Sequence, residues 1–275
     1  MSDVDPHQPY QGPSRRNVFR GAALTSGTVL FGGAFTIGTA TTAAAAPEPQ
    51  LHTRADWGAR PPSSPVQVLD TPPDTIIVHH TAGGNSDDTS VEHAYKISRD
   101  IQNLHMDSNG WIDAGQQLTI SRGGHVVEGR DKALTAIRDG KHCYGTHVAD
   151  HNGHCIGIEN EGIYVTDTPP KALVDSLVAT LAWLCTAYSL DPQAAILGHR
   201  DFNATQCPGD VLYGMLPDIR NAVADSLAAS GVRTTPGARR GLPADHRPGY
   251  PAVPKQEPKR ELYHGPARGP DDISR

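Results

Sequence analysis

The sequence predicts an α/β fold: one layered domain with a central mixed β-sheet and helices packed against its faces. Two observations carry this. Short apolar runs of strand length recur at "TIIVHH" (Thr75 to His80), "CIGIENEG" (from Cys155) and "AILGHRDF" (from Ala195). Longer stretches of helical periodicity are interspersed with them, without a repeated βαβ unit or an internal repeat.

The elements follow in order. "TIIVHH" is a strand that ends on two histidines, His79 and His80. A helix follows over "TSVEHAYKISRDIQNLHMD". Thr89 and Glu92 supply a capping box, and Ala94, Ile97, Ile101 and Leu104 mark one face. Gln117–Ser121 and His125–Glu128 form a hairpin that turns at Gly123 and Gly124. In "CIGIENEG", period 2 places Ile156 and Ile158 on one face and Glu159 and Glu161 on the other. The clearest helix is "TPPKALVDSLVATLAWLCTAYSL". Thr168 caps it, Pro169 and Pro170 open it, and Leu173, Leu177, Leu181, Leu184 and Tyr188 form its buried stripe. "AILGHRDF" is a strand ending at His199, and a last helix runs from about Pro217 to Ala229.

Both ends of the 275-residue chain read differently. Residues 1–46 carry Arg15 and Arg16, a weakly apolar Gly/Ala/Thr run, and small residues at Ala43 to Ala46. This is the pattern of a twin-arginine export signal with cleavage near Ala45 or Ala46, and it predicts a secreted protein. No later stretch is long and apolar enough to span a bilayer, so no stable membrane insertion is expected after cleavage. Residues 233–275 are rich in Pro, Gly and scattered charge without apolar periodicity, which predicts a disordered, mildly basic tail. Residues 47–232 are a comfortable length for one core, and a monomer is expected by default. This body holds twelve basic and twenty-three acidic side chains, a net charge of −11. Nucleic acid is excluded as a partner, since phosphate binding needs a positive stripe.

Three features carry chemistry. His79 and His80 sit at a strand end, Glu159 sits on a strand face, and "GHRDFNATQCPG" brings His199 and Cys207 into one loop. Two histidines and one cysteine satisfy a catalytic zinc site, which keeps three protein ligands and leaves one position to water. The bound metal makes water a usable nucleophile near neutral pH, and a carboxylate beside it serves as general base and then acid. Which histidine of the pair ligates stays open at this level.

Seven separated motifs then agree in order: "RADWGARPP", "IIVHHTAGG", "IQNLHMDSNGWIDAG", "EGR", "GTHV", "CIGIENEG" and "GHRDFNATQCPG". Through them the chain resembles the type-2 N-acetylmuramoyl-L-alanine amidases and peptidoglycan recognition proteins, as a secreted, actinobacterial-type member. The resemblance covers about Leu51 to Leu227. It implies Zn2+ held by His79, His199 and Cys207, with His80 at a variable position lining the site. It implies Glu159 as catalytic acid/base and Thr205 as an aid to the oxyanion. His147 matches a position near the substrate groove, with an ordinary loop histidine as the other reading, and Trp111 lies near enough by motif order to meet substrate. Many members carry a tyrosine after the glycine of this "GWIDAG" stretch. Here Gln116 takes that place, and a glutamine can donate a hydrogen bond to an oxyanion or hold a water but cannot act as an acid.

The implied activity is hydrolysis of the amide between N-acetylmuramic acid and L-alanine in peptidoglycan, with muramyl peptide as the partner. The alternatives are a recognition module that binds without cutting and another zinc amidohydrolase or peptidase. Non-catalytic members often replace the ligand cysteine with serine, whereas Cys207 is intact. Arg200 and Asp201 are expected to anchor the ligand loop. Trp57 and Trp183 are expected as packing anchors, Cys185 as a core thiol, and His142, His151 and His154 as exposed loop residues. With Cys207 given to zinc and Cys185 to the core, Cys143 and Cys155 are the pair open to a disulfide.

Overall fold

The computed structural model describes residues 45–232. The expected signal and tail therefore lie outside the described residues, apart from Ala45 and Ala46 at the end of the signal.

The elements are β1 (Leu51–His52), β2 (Val68–Leu69), β3 (Thr75–His80), α1 (Val91–Asn103) and a π-helical turn at Leu104–Ser108. The hairpin β4 (Leu118–Ile120) and β5 (Val126–Glu128) follows, then α2 (Ala133–Arg138), β6 (His142–Cys143) and β7 (Cys155–Asn160). The chain continues through α3 (Lys171–Tyr188), α4 (Pro192–Ala195), β8 (Ile196–Gly198), a 3-10 turn at His199–Asp201, and α5 (Asp210–Ala229). The main sheet has the order β1-β5-β4-β7-β3-β8, with only β4 and β5 antiparallel. It is the mixed sheet expected. Strands β2 and β6 pair separately.

Strand alternation sorts the side chains onto two buried faces. Ile76, Val78, Ile156 and Ile158 pack with Leu173, Leu177 and Leu181 of α3 and with Leu216, Ile219 and Val223 of α5. Ile77 and Cys155 belong to a second cluster with Val148, Leu197 and Phe202. That second face carries the functional side chains. Further along the sheet, Val127 meets Trp57 and Ala94. Trp57 is a packing anchor as expected, and its indole N–H donates to the Glu128 carbonyl at 2.8 Å. No helix among the described residues is long and apolar enough to cross a membrane.

Four local expectations are corrected. The cap of α1 is Ser90, whose hydroxyl accepts the His93 N–H at 3.2 Å; Thr89 is exposed one residue too early. The motif contains two adjacent hydroxyls, and only the chain path chooses between them. Ser90→Ala should cost about 1 kcal/mol, whereas Thr89→Ala should leave the urea midpoint unchanged. Equal losses at both positions would contradict the cap.

Thr168 does not cap α3. The residue before a proline is held extended, so two prolines delay the helix until Lys171, with Pro170 as the cap residue at φ −61° and ψ 149°. Helix α5 begins at Asp210 and runs through Pro217. Leu212 and Leu216 already belong to its buried stripe, and that packing outweighs the one backbone bond a proline removes. Finally, Cys143 and Cys155 are free thiols. The Cys143 Sγ donates to the Asp131 carbonyl at 3.3 Å, while Cys155 lies beside His154, so the pair is not bridged. Cys185 is a core thiol.

Candidate metal centre

Strand register builds the centre. His79 of β3 pairs with Glu159 of β7, and Glu159 pairs with Thr119 of β4, both in parallel. In-register neighbours point to the same side, so these three share the second face. Strand β8 pairs with β3 on its other side, and His199 follows where β8 turns into the 3-10 segment. The loop then returns, and the Arg200 N–H donates to the Cys207 carbonyl at 3.0 Å.

Three ligand atoms result, one each from His79, His199 and Cys207, all within 4.8 Å of one another and all from buried residues. The His79 Nδ1 lies 3.6 Å from the Cys207 Sγ. The His199 Nε2 meets the Asn203 Oδ1 at 3.0 Å, so Nδ1 is the His199 nitrogen that can serve as a ligand. The His80 backbone N–H donates to the Cys207 sulfur at 3.4 Å, a contact that favours a thiolate. Burial, with His199 and His147 close by, holds the His79 imidazole well below its ordinary range. Burial likewise lowers His199 to about 4 against the opposing Asn203 bond. Both rings are thus held neutral, the form that binds a metal.

Glu159 supplies a further observation. Both its carboxylate oxygens are buried and have no hydrogen-bond partner. Burial alone pushes its carboxyl well above the ordinary value. An unpartnered buried carboxyl is costly and marks a group kept for function. Two neutral imidazoles and a thiol, with an orphaned carboxyl on the same sheet face, fit a zinc ion with three protein ligands. Among the described residues this is the one cluster of three such donors.

The other expected residues fall as follows. Thr205 is buried, and its hydroxyl accepts the Cys207 N–H at 3.2 Å, which holds it against the ligand loop. Gln116 is buried, and its amide nitrogen donates to the Thr119 Oγ1 at 2.9 Å. Its carbonyl oxygen is buried without a hydrogen-bond partner. Trp111 is half-buried, its ring tilted against His105 with centroids 4.5 Å apart.

His80 does not line the site. Alternation sends it to the face of Ile76 and Val78, where it is fully buried and its Nδ1 accepts the Tyr164 N–H at 3.2 Å. His147 does not face outward either: it is buried, with its Nδ1 3.0 Å from the His79 Nε2. Glu161 is taken up by His93 at 2.9 Å and by the Arg122 N–H at 2.8 Å. His142 is fully buried rather than exposed, bonded to the Asn152 carbonyl at 2.7 Å. His151 and His154 are half-buried, and His154 meets Asp74 at 2.9 Å.

The ligand loop is anchored as expected. Arg200 donates to Asp210 at 2.6 Å and to the Gln206 carbonyl, and its guanidinium lies over the Tyr213 ring. Asp201 accepts from the Gly198 N–H at 2.9 Å and from the Tyr213 hydroxyl at 2.6 Å. Asn203 was missed by sequence reasoning. Its signal was its position four residues after a ligand histidine, the reach of one helical turn.

A mixed-sheet α/β domain with two buried histidines at the ends of adjacent parallel strands and a cysteine from the loop that follows defines the class. The family described as N-acetylmuramoyl-L-alanine amidase matches residues 69–210, and the chain belongs to it. It is 32% identical over 169 residues to the N-acetylmuramoyl-L-alanine amidase of Sus scrofa, covering 61% of this chain and 27% of that protein. It is 32% identical over 164 residues to the peptidoglycan-recognition protein LB of Drosophila melanogaster, covering 60% of this chain and 66% of that one. The chain thus spans about a quarter of the length of the mammalian amidases it matches. Among solved structures, Drosophila PGRP-LB superposes with a TM-score of 0.53 at 30% identity, covering 61% of this chain and 92% of that one. A point mutant of PGRP-LB was solved in complex with tracheal cytotoxin, at 30% identity and a TM-score of 0.52, covering 60% of this chain and 92% of that one.

Proposed function

We propose that this chain is an exported zinc amidase that hydrolyses the bond between the lactyl group of N-acetylmuramic acid and L-alanine in peptidoglycan. One observation carries the reading: His79, His199 and Cys207 converge on the sheet face that also holds the unpartnered Glu159. Family membership and the tracheal cytotoxin bound in the PGRP-LB complex support the substrate class. The paired arginines Arg15 and Arg16 support export.

His79, His199 and Cys207 would hold the zinc, which when bound supplies Lewis acidity toward an amide carbonyl and a water. Glu159 takes the proton of the attacking water and returns it to the departing alanine nitrogen. With the site loaded, Glu159 would be held as the charged carboxylate against the burial that opposes it. The Thr205 hydroxyl supports the developing oxyanion. Gln116, bonded to Thr119 on the strand beside Glu159, donates a hydrogen bond to that oxyanion or holds a water.

The test incubates the chain with purified sacculi and with a soluble muramyl pentapeptide, scoring new N-terminal L-alanine by mass spectrometry. Release is expected to be abolished by a zinc chelator and by Cys207→Ser, which removes one of three ligands. One specific feature favours the recognition module instead, namely Gln116 in place of a phenol. Tight binding of muramyl peptide with zinc bound and no release of stem peptide would establish that reading and overturn the amidase. Cleavage of other amides in preference to muramyl peptide would point to a different amidohydrolase.

A further inference from the structure

His147 lies 68 positions from His79 in sequence, yet the two rings meet edge to face, at 90° with centroids 5.1 Å apart. The His147 Nε2 is 3.2 Å from the Cys155 carbonyl oxygen, and its Nδ1 is 3.0 Å from the His79 Nε2. A carbonyl only accepts, so the His147 Nε2 carries a proton. In the neutral ring its Nδ1 is then an acceptor, and the hydrogen between the rings belongs to the His79 Nε2. Neutral His79 therefore keeps its lone pair on Nδ1, the nitrogen 3.6 Å from the Cys207 Sγ. Hydrogen-bond direction, passed from a backbone carbonyl through two rings, selects the nitrogen that can ligate.

The His147 ring is held in place by more than these two bonds. Its backbone N–H donates to the Asn152 Oδ1 at 2.7 Å. The ring lies against two glycines. A Cβ at Gly157 would stand 2.6 Å from its Nδ1, and a Cβ at Gly145 would stand 2.6 Å from its Cδ2. Gly157 lies two residues before Glu159 in β7, on the same face, so the strand that presents the acid also makes room for the ring. The same loop reaches the second histidine ligand: the Ala149 N–H donates to the Asn203 Oδ1 at 3.0 Å, and that oxygen meets the His199 Nε2.

We propose that His147 is a positioning residue, not a substrate contact: it fixes His79 as the Nε2–H tautomer and so delivers Nδ1 to the metal. This rests on the zinc reading above.

Long-range proton–nitrogen NMR of the metal-free full chain reports the tautomers directly. Both His79 and His147 are expected as Nε2–H, and His79 found as Nδ1–H would overturn the proposal. Zinc affinity, measured by competition with a chromogenic chelator, gives a second readout. His147→Leu should weaken zinc about 10- to 100-fold, the usual loss for the partner of a ligating histidine. His147→Gln, which can accept from His79 and donate to Cys155, should restore most of that loss. Gly157→Ala should displace the ring and weaken zinc with every donor intact, and it decides the matter if the leucine variant lacks a cooperative melt. Unchanged zinc affinity in His147→Leu, with a raised KM for muramyl peptide, would make His147 a substrate contact and overturn the proposal while leaving the amidase standing. A wild-type chain that binds no zinc would overturn the amidase reading itself, and the tautomer spectrum would still be read independently.

Discussion

Glu159→Gln should lower kcat for muramyl peptide about 10²- to 10⁴-fold, the usual contribution of a positioned general acid/base, and should leave zinc affinity intact. Glutamine keeps the shape of the side chain and cannot exchange a proton. The effect should fall on kcat rather than KM, because the proton moves in the transition state. Glu159 has no hydrogen bond to lose in the metal-free chain, so the change should not disturb the surroundings. Its carboxyl is neutral when buried and ionises near 4.5 when unfolded. The stability it confers is therefore full below 4.5 and lost as pH rises through its elevated folded value. Replacing it should make the metal-free chain more stable at neutral pH. Full activity in a zinc-loaded Glu159→Gln protein would remove Glu159 from the mechanism.

Mild acid should unfold the metal-free protein. Burial lowers His80 and His147 to about 3 and His199 to about 4, and holds His79 well below its usual value. In the unfolded chain each takes up a proton near 6.5. The unfolded state thus binds more protons as pH falls, so the stability from these rings is full above 6.5 and is lost between there and about 4 to 3. Each such ring contributes a slope of about 1.4 kcal/mol per pH unit. Four together amount to roughly 5 kcal/mol per unit. The opposite slope of Glu159 over this range offsets about one ring's share, and roughly 4 kcal/mol per unit is still a large part of the stability of many domains. Urea midpoints recorded from about pH 7.5 down to about pH 5 should fall steeply below 6.5. A flat profile would mean that these rings meet water in the folded state. Zinc should protect against mild acid, because the same protons compete with the metal for nitrogen and sulfur.

Much of this was legible in local pattern. The strand over Thr75–His80, the hairpin around Gly123 and Gly124 and the stripe on α3 follow from period 2, turn chemistry and period 3.6. The donor set was legible as residue types and by motif order. Where the reading failed, a choice between near-equivalent neighbours was made by the chain path. Thr89 and Ser90 both offer a hydroxyl, and only Ser90 points back at its helix. Pro217 looks like a helix start, but Leu212 and Leu216 find core before it. The placement of His80 was open to correction from sequence alone, since adjacent strand residues face opposite ways.

The sequence by itself determined which side chains share a strand face and which residue types end the strands, because both depend on the geometry of a few consecutive residues. Only the tertiary structure decided that β7 lies beside β3, which puts Glu159 next to His79 and seats the His147 ring over Gly157. It also decided which nitrogen of each ring faces the donor set, through Cys155, His147 and Asn203. Those contacts join residues far apart in the chain and depend on register and hydrogen-bond direction, neither of which a local pattern encodes.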